Sequence, residues 1–483
     1  MSCLYFCLKL KKSMMRIIFK ITFYSFIIGL LSCSNSNECD NTCPAGQVQL
    51  LDCSCLDTTP CAGVTCDEGE VLTADCDCLD GNSGDFPVAA KSGIISNETW
   101  SNDTVYVMQG KVVVGEGATL TIEPGTIIKA EDDPGTLASA LIVAQGAQII
   151  AEGTATQPII FTSIRDGILP GEIVSPNLTE FDNKLWGGLI ILGYAPISAG
   201  DGDDVALIEG IPPGEPFGNY GGTDPNDNSG VIKYVSVRHG GISIGADNEI
   251  NGITFGGVGA GTTVENIEVI ANLDDGIEWF GGTVNCTNVL VAYGEDDGLD
   301  IDQNYAGTIN NAVVITSGET AGDNAFEIDG PEGSLTDGFF TIMNCTLIDK
   351  DGNADTAADL KSNSQGTIMN TSWRGFGDNI KLRHSCEDDC TTAKGDSYLN
   401  YIDGKLVIEN SEWVGNAALA DWISVYGDAD CPNDERCTIT DEIQNTAIDV
   451  LSAAGNAING APTTGADMSA FEGWSWAANT NNI

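Results

Sequence analysis

"VENIEVIANLDDGIEWFGGTVNCTNVLVAYGEDDGLDID", residues 264–302, holds two copies of one unit, and the distance between them decides how the chain folds. The unit is an apolar residue, any residue, Asn, two more residues, then an apolar one. Val264, Asn266 and Val269 form the first copy, and Cys286, Asn288 and Val291 the second. Further along it returns as Ile309, Asn311 and Val314; Ile342, Asn344 and Leu347; Ile368, Asn370 and Trp373; and Ile408, Asn410 and Trp413. Upstream, Ile232, Tyr234 and Val237 fit with Tyr in place of Asn. Successive Asn copies lie 22 to 40 residues apart, near one coil of a parallel β-solenoid, and the longer gaps read as loops. Between the copies run short β-branched and apolar stretches bounded by Gly, Asn and Asp, without helical periodicity. In that register the six Asn side chains stack as an amide ladder, each satisfying the next. An antiparallel sandwich has no need of such a register.

A second repeat keeps step with the first. Asp274-Asp275-Gly276-Ile277-Glu278, Asp296-Asp297-Gly298-Leu299-Asp300 and Asp323-Asn324-Ala325-Phe326-Glu327 recur at 22 and 27 residues, so each falls at the same corner of successive coils. Glu295 and Asp302 add to the middle copy. Adjacent coils lie about 4.8 Å apart, where two carboxylates repel by roughly 3.5 kcal/mol at an effective dielectric near 20. Oxygen-only ligands crowded in this way are what Ca²⁺ takes, and calcium is the leading explanation. The alternative is a solvated acidic face whose Asp and Asn serve as turn formers. A separate calcium candidate is "DKDGNADTAAD", where Asp349, Asp351, Asn353 and Asp355 alternate as in a calcium loop and Asp359 follows, although Ala354 stands where such loops carry Gly.

The segment "GATLTIEPGTIIKAEDDPGTLASALIVAQGAQIIAEGTATQPIIFTS", residues 117–163, is followed by "LWGGLIILG" and later by "GVIKYVSVRHGG". It resembles the N-terminal coils of right-handed parallel β-helix lipoproteins of the Bacteroidota, pectate-lyase-like solenoids, and the resemblance runs to about residue 430. It implies an all-β, outer-membrane-anchored β-helix facing the cell exterior, of the kind associated with TonB-dependent transporters and other outer-membrane β-barrel complexes. No catalytic residues come with it.

The N-terminal run "MMRIIFKITFYSFIIGLLSC" places Arg16 and Lys20 ahead of an apolar stretch and ends Leu30-Leu31-Ser32-Cys33. That is the layout of an export signal and resembles a lipobox, which implies lipidation of Cys33. The rival is an ordinary signal peptide with Cys33 in a disulfide. Residues 1–13 read as an upstream extension. Cys39, Cys43, Cys53 and Cys55 are echoed by Cys61, Cys66, Cys76 and Cys78 in two four-cysteine modules. Disulfides fit an exported chain better than zinc, and four cysteines leave three pairings open. The two modules read as a stalk or as a cap on the next domain. Cys386 with Cys390 and Cys431 with Cys437 sit in acidic loops that suit short disulfides, whereas Cys286 and Cys345 fall in strand patterns as buried thiols. The expected organisation is a signal over 1–33, the cysteine modules and a linker over 34–90, a β-helix over 91–438, and a C-terminal helix and cap over 439–483. Residues 440–460 read as one amphipathic helix covering the open solenoid end.

Seventy acidic residues against 20 basic ones, a net charge of −50, make nucleic acid and anionic membrane surfaces poor partners. Polysaccharide lyases among parallel β-helices combine Ca²⁺-binding carboxylates with a Lys or Arg base. Lys361 lies near the acid repeat, and Lys381 and Arg383 in "NIKLRH" share one strand face, so they are the candidate bases for an acidic glycan. A structural pairing with the acid repeat is the competing role. Two histidines, His239 and His384, argue against histidine-based centres. "GGVGAG" at 256–261 precedes a strand pattern, not the helix a dinucleotide site requires. Trp279 and Phe280 are candidates for sugar stacking, while Trp373 and Trp413 take the apolar slot of the Asn unit and belong to the core. The sequence therefore favours a calcium-stabilised binding and scaffolding protein over an enzyme.

Overall fold

The computed structural model describes residues 86–483, with breaks at 133–134, 201–203, 213, 246–247, 321, 377–379, 385–395, 416–417 and 428–438, together with four short strands further upstream. The chain divides into two compact units, Met1–Gly63 and Val64–Ile483. Within the first, Gln47–Gln49 pairs antiparallel with Cys55–Asp57. Within the second, Glu70–Leu72 pairs with Cys78–Asp80 in the same way, so the duplicated sequence forms the same hairpin twice. The lipidation of Cys33 and the proposed disulfides of both modules, of Cys386 with Cys390 and of Cys431 with Cys437 fall outside the described residues and side chains.

From Val88 the chain winds into one 27-stranded parallel wrap with three faces, named here sheets A, B and C. Sheet A stacks Ala140–Val143, Leu189–Leu192, Ile253–Gly256, Ile277–Phe280, Leu299–Asp302, Asn324–Ile328, Thr356–Leu360, Ile380–His384 and Ile423–Gly427. In sheet B, Ala151, Ile232, Val264, Cys286, Ile309, Ile342, Ile368 and Ile408 lie in one register. Sheet C aligns Val237, Val269, Val291, Val314, Leu347, Trp373 and Trp413. Strand alternation sends every second side chain into the solenoid, where Trp279, Trp373, Leu299, Phe326 and the thiols of Cys286 and Cys345 are fully or almost fully buried.

The Asn unit marks the bend from sheet B to sheet C. Asn266, Asn288, Asn311, Asn344, Asn370 and Asn410, with Tyr234 ahead of them, all adopt φ between 49° and 62°. Asn tolerates this left-handed conformation far better than β-branched residues do, so the backbone as well as the ladder selects it. Asn288 donates to Asn266 at 2.9 Å and Asn311 to Asn288 at 2.7 Å. The ladder is then diverted: Asn311 accepts from Asp467 N at 2.6 Å, and Asn344 donates instead to Asn310 at 2.7 Å. It resumes with Asn370 donating to Asn344 at 3.3 Å.

Asp467 belongs to a C-terminal strap that the sequence did not announce. The helix expected over 440–460 is shorter. It runs Asp441–Ala453, is capped by Thr440 Oγ1, buries Ala447 and Leu451 against the last coils, and is followed by Gly455 at φ 77°. Beyond it the chain returns along the outside of sheet C. Thr463 and Thr464 bind Glu412, Ala466 N donates to Thr346, and the amides of Trp476 and Ala477 donate to Glu268 at 2.9 and 3.0 Å. Phe471, Trp474 and Trp476 cover Ile270, Leu290, Val313 and Ile315. Glu268 is fully buried beside Arg238, whose guanidinium lies 3.7 Å away.

Candidate cation-binding face

The outward ranks of sheet A carry the chemistry. One rank reads, coil by coil, Ile142, Ile190, Thr254, Glu278, Asp300, Glu327, Asp359, Lys381, Ser424. The face is thus apolar, then acidic, then basic. Its neighbour passes from Leu192 through Gly256 and Phe280 to Asp302, and reaches Arg383 and Tyr426 at the far end. Just before each strand, at the corner, Asp275 accepts the main-chain N–H of Asp297 at 3.0 Å, and Asp297 accepts that of Asn324 at 2.8 Å. The Gly of each "DDG" is a packing requirement: a Cβ on Gly298 would lie 2.4 Å from Val314 Cγ1 and 2.7 Å from the Ala325 carbonyl.

Eight of the carboxylates converge in four overlapping groups, within each of which one oxygen per residue lies within 4.8 Å of the others. These are Asp274, Asp275 and Asp296; Asp275, Glu278 and Asp300; Asp296, Asp297 and Asp323; and Asp297, Asp300 and Glu327. Asp275, Glu278, Asp297 and Asp300 are at most 9% exposed. Burial, reinforced by the neighbouring carboxylates, raises Asp274 to about 8 and Asp297 to about 7, and holds Asp275, Glu278 and Asp300 well above the usual range. Asp300 Oδ1 and the amide oxygens of Asn272, Asn251 and Asn324 are buried without a hydrogen-bond donor. Each of these Asn residues turns its NH₂ toward the column, Asn324 to Asp297 Oδ1 at 2.8 Å, Asn251 to Glu278, and Asn272 to the Asp275 carbonyl at 2.8 Å. Buried acceptors that lack donors are costly unless a proton or a cation joins them.

Other candidates are placed differently. Glu295 turns to Lys184 at 3.0 Å and Asn183 at 2.8 Å, away from the four groups. Asp302 lies one position along the sheet from them, raised to about 7 by burial. The proposed calcium loop is not assembled: Asp349 caps its own turn, accepting from the amides of Asp351, Gly352 and Ala354, and Asp351 accepts from Gly318, Glu319 and Asn353. Asp355 instead binds Lys381 at 2.7 Å. Asp355 and Asp359 are in fact a fourth copy of the acid repeat, in register with Asp323 and Glu327. In the sequence this fourth copy overlaps the local pattern of a calcium loop.

Trp279 and Phe280 are not a stacking platform. Trp279 is fully buried inside the solenoid, and Phe280, 7% exposed, packs beneath Ile197, Ile208, Ile211, Tyr220 and Ile250 on the outside of sheet A. The insertions that carry these residues also bring Glu209 and Glu249 to the column's edge, where Glu209 is raised to about 7 by burial and by Glu249. Their arrival from separate loops leaves no spacing signal. The bases sit at the opposite end. Lys361 binds Glu327, Lys381 binds Asp355, and Arg383 grips Asp359 with Nε at 2.8 Å and with Nη2. Tyr426 lies over both Lys381 and Arg383 at 5.9 and 6.0 Å.

Residues 93–413 match the family described as the pectate-lyase like beta helix domain. No curated protein and no solved structure matches the chain.

Proposed function

Because the chain belongs to the pectate-lyase-like β-helix family, we propose that it uses the solenoid as a rigid scaffold whose sheet A face is loaded with Ca²⁺, and that it binds rather than transforms its partners. The observation that carries the reading is the column itself: eight carboxylates in four converging groups, four of them buried, with buried amide and carboxylate oxygens that no donor among the described residues reaches. Hard divalent ions take such oxygen-only sets. In this reading the chain is exported, anchored through lipidated Cys33 at the outer face of the outer membrane, and serves a β-barrel or TonB-dependent transporter complex there. An acidic glycan bridged by the ions is the fitting ligand class.

The second reading is a calcium-dependent lyase for acidic polysaccharide, favoured by the position of Lys381 and Arg383 on the same sheet face. Against it, both are engaged by Asp355 and Asp359, and Lys361 by Glu327. Affinity purification from native membranes separates the two readings. Co-isolation with a β-barrel, lost in Cys33→Ala, supports the scaffold. A solitary protein that releases an unsaturated, ultraviolet-absorbing product from pectin or alginate, and stops doing so as Lys381→Ala or Arg383→Ala, overturns it.

A further inference from the structure

The four carboxylate groups are not four separate clusters. Asp275 belongs to the first and second, Asp296 to the first and third, Asp297 to the third and fourth, and Asp300 to the second and fourth. Asp274, Glu278, Asp323 and Glu327 belong to one each. The eight side chains therefore form a two-by-two grid, two positions across the face and two along the solenoid, in which every neighbouring pair of positions shares a carboxylate. The coil repeat generates it, because the third group is the first moved on by one coil, and the fourth is the second moved likewise.

We infer that the face binds divalent cations as a carboxylate-bridged cluster of at least two ions rather than as a single ion. This deepens the cation reading above and rests on it. Charge and donor inventory both support it. With all eight ionised, the carboxylates carry a formal −8, which one divalent ion leaves largely uncompensated; among the described residues, the one ion pair within the grid is Lys361 on Glu327. The buried oxygens without donors are also spread over the grid. Asp300, shared by the second and fourth groups, has its Oδ1 buried without a donor, and so has Asn324, whose NH₂ holds Asp297 of the third and fourth. The same is true of Asn251, whose NH₂ holds Glu278 of the second. A lone ion in any one group would leave orphaned acceptors elsewhere. A first ion also draws a shared carboxylate into the geometry its neighbour needs, so the second meets a site already ordered.

The full chain is tested with Ca²⁺ alone, by equilibrium dialysis and calorimetric titration after chelation. The expected result is two to four ions per chain with positive cooperativity. Asp300→Asn, which touches two groups, should lose more bound ions than Asp274→Asn, which touches one, and should abolish the cooperativity. Far-ultraviolet circular dichroism identifies any variant that fails to fold, and Asp323→Asn then replaces Asp274→Asn as the single-group change and Asp296→Asn replaces Asp300→Asn. One ion per chain, or equal losses from shared and unshared positions, overturns the bridged cluster while leaving the cation reading standing. No bound ion overturns both.

Discussion

Asp297→Asn should stabilise the chain without calcium and destabilise it with calcium. Asp297 is 3% exposed, and burial raises its carboxyl from 3.8 to about 7. Below about pH 4 the group is protonated folded and unfolded alike and costs nothing. Between about pH 4 and pH 7 the unfolded chain releases a proton that the fold retains, so stability falls as pH rises. Above pH 7 the ionised group costs the fold up to about 4 kcal/mol, at about 1.36 kcal/mol for each pH unit separating the two titrations. Asn keeps the oxygen that receives both Asn324 bonds at 2.8 Å, so substitution should recover about 2 to 4 kcal/mol at pH 8 in chelator, a rise of several degrees in melting temperature. In saturating calcium the sign reverses, because the variant loses a ligand shared by two groups and with it part of the binding contribution, which is about 2.7 kcal/mol at a hundredfold excess over Kd. Thermal melts at pH 5 and pH 8, each in chelator and in calcium, provide the readout. A variant that melts below the wild type in chelator at pH 8 would refute the argument, as would a wild-type midpoint that does not change from pH 5 to pH 8 in chelator.

Two other outcomes are expected. Glu268→Ala strands the buried Arg238 and removes the acceptor for the Trp476 and Ala477 amides; it should cost about 3 kcal/mol or more, and limited proteolysis should clip the C-terminal segment first. Burial pushes the thiols of Cys286 and Cys345 up to about 12, so peptide mapping should find both labelled by a thiol reagent only after unfolding.

Repeat-borne features were readable because a solenoid writes its geometry into sequence spacing. The Asn unit set the coil register, and the apolar slot correctly placed Trp373 and Trp413 inside. The 22- and 27-residue spacing also aligned Glu278, Asp300 and Glu327, which lie in register on the strands of sheet A just past the corner the repeat was expected to mark. What escaped the reading came from outside the period. Glu209 and Glu249 arrive on insertions, and Trp279 follows the inward phase of its strand in spite of its neighbouring glycines. Asp355 and Asp359 belong to two patterns at once, the local spacing of a calcium loop and the coil-spaced acid repeat, and only the fold decides between them. The strap was hidden for a similar reason. Its anchors, Glu268, Asn311, Thr346 and Glu412, lie far upstream of it, and nothing in "TTGADMSAFEGWSW" signals them.

Solenoids unzip from their ends, since each coil holds only its neighbours. The strap changes that rule. Along sheet C, the rank Glu412, Ser372, Thr346, Val313, Leu290, Glu268 is one continuous line of register, and the strap is attached at both ends of it. A coil near residue 412 cannot peel away without pulling on contacts made near residue 268. Fraying from that end becomes a cooperative event over six coils, and the segment from Thr463 to Ala477 is the clasp that couples them.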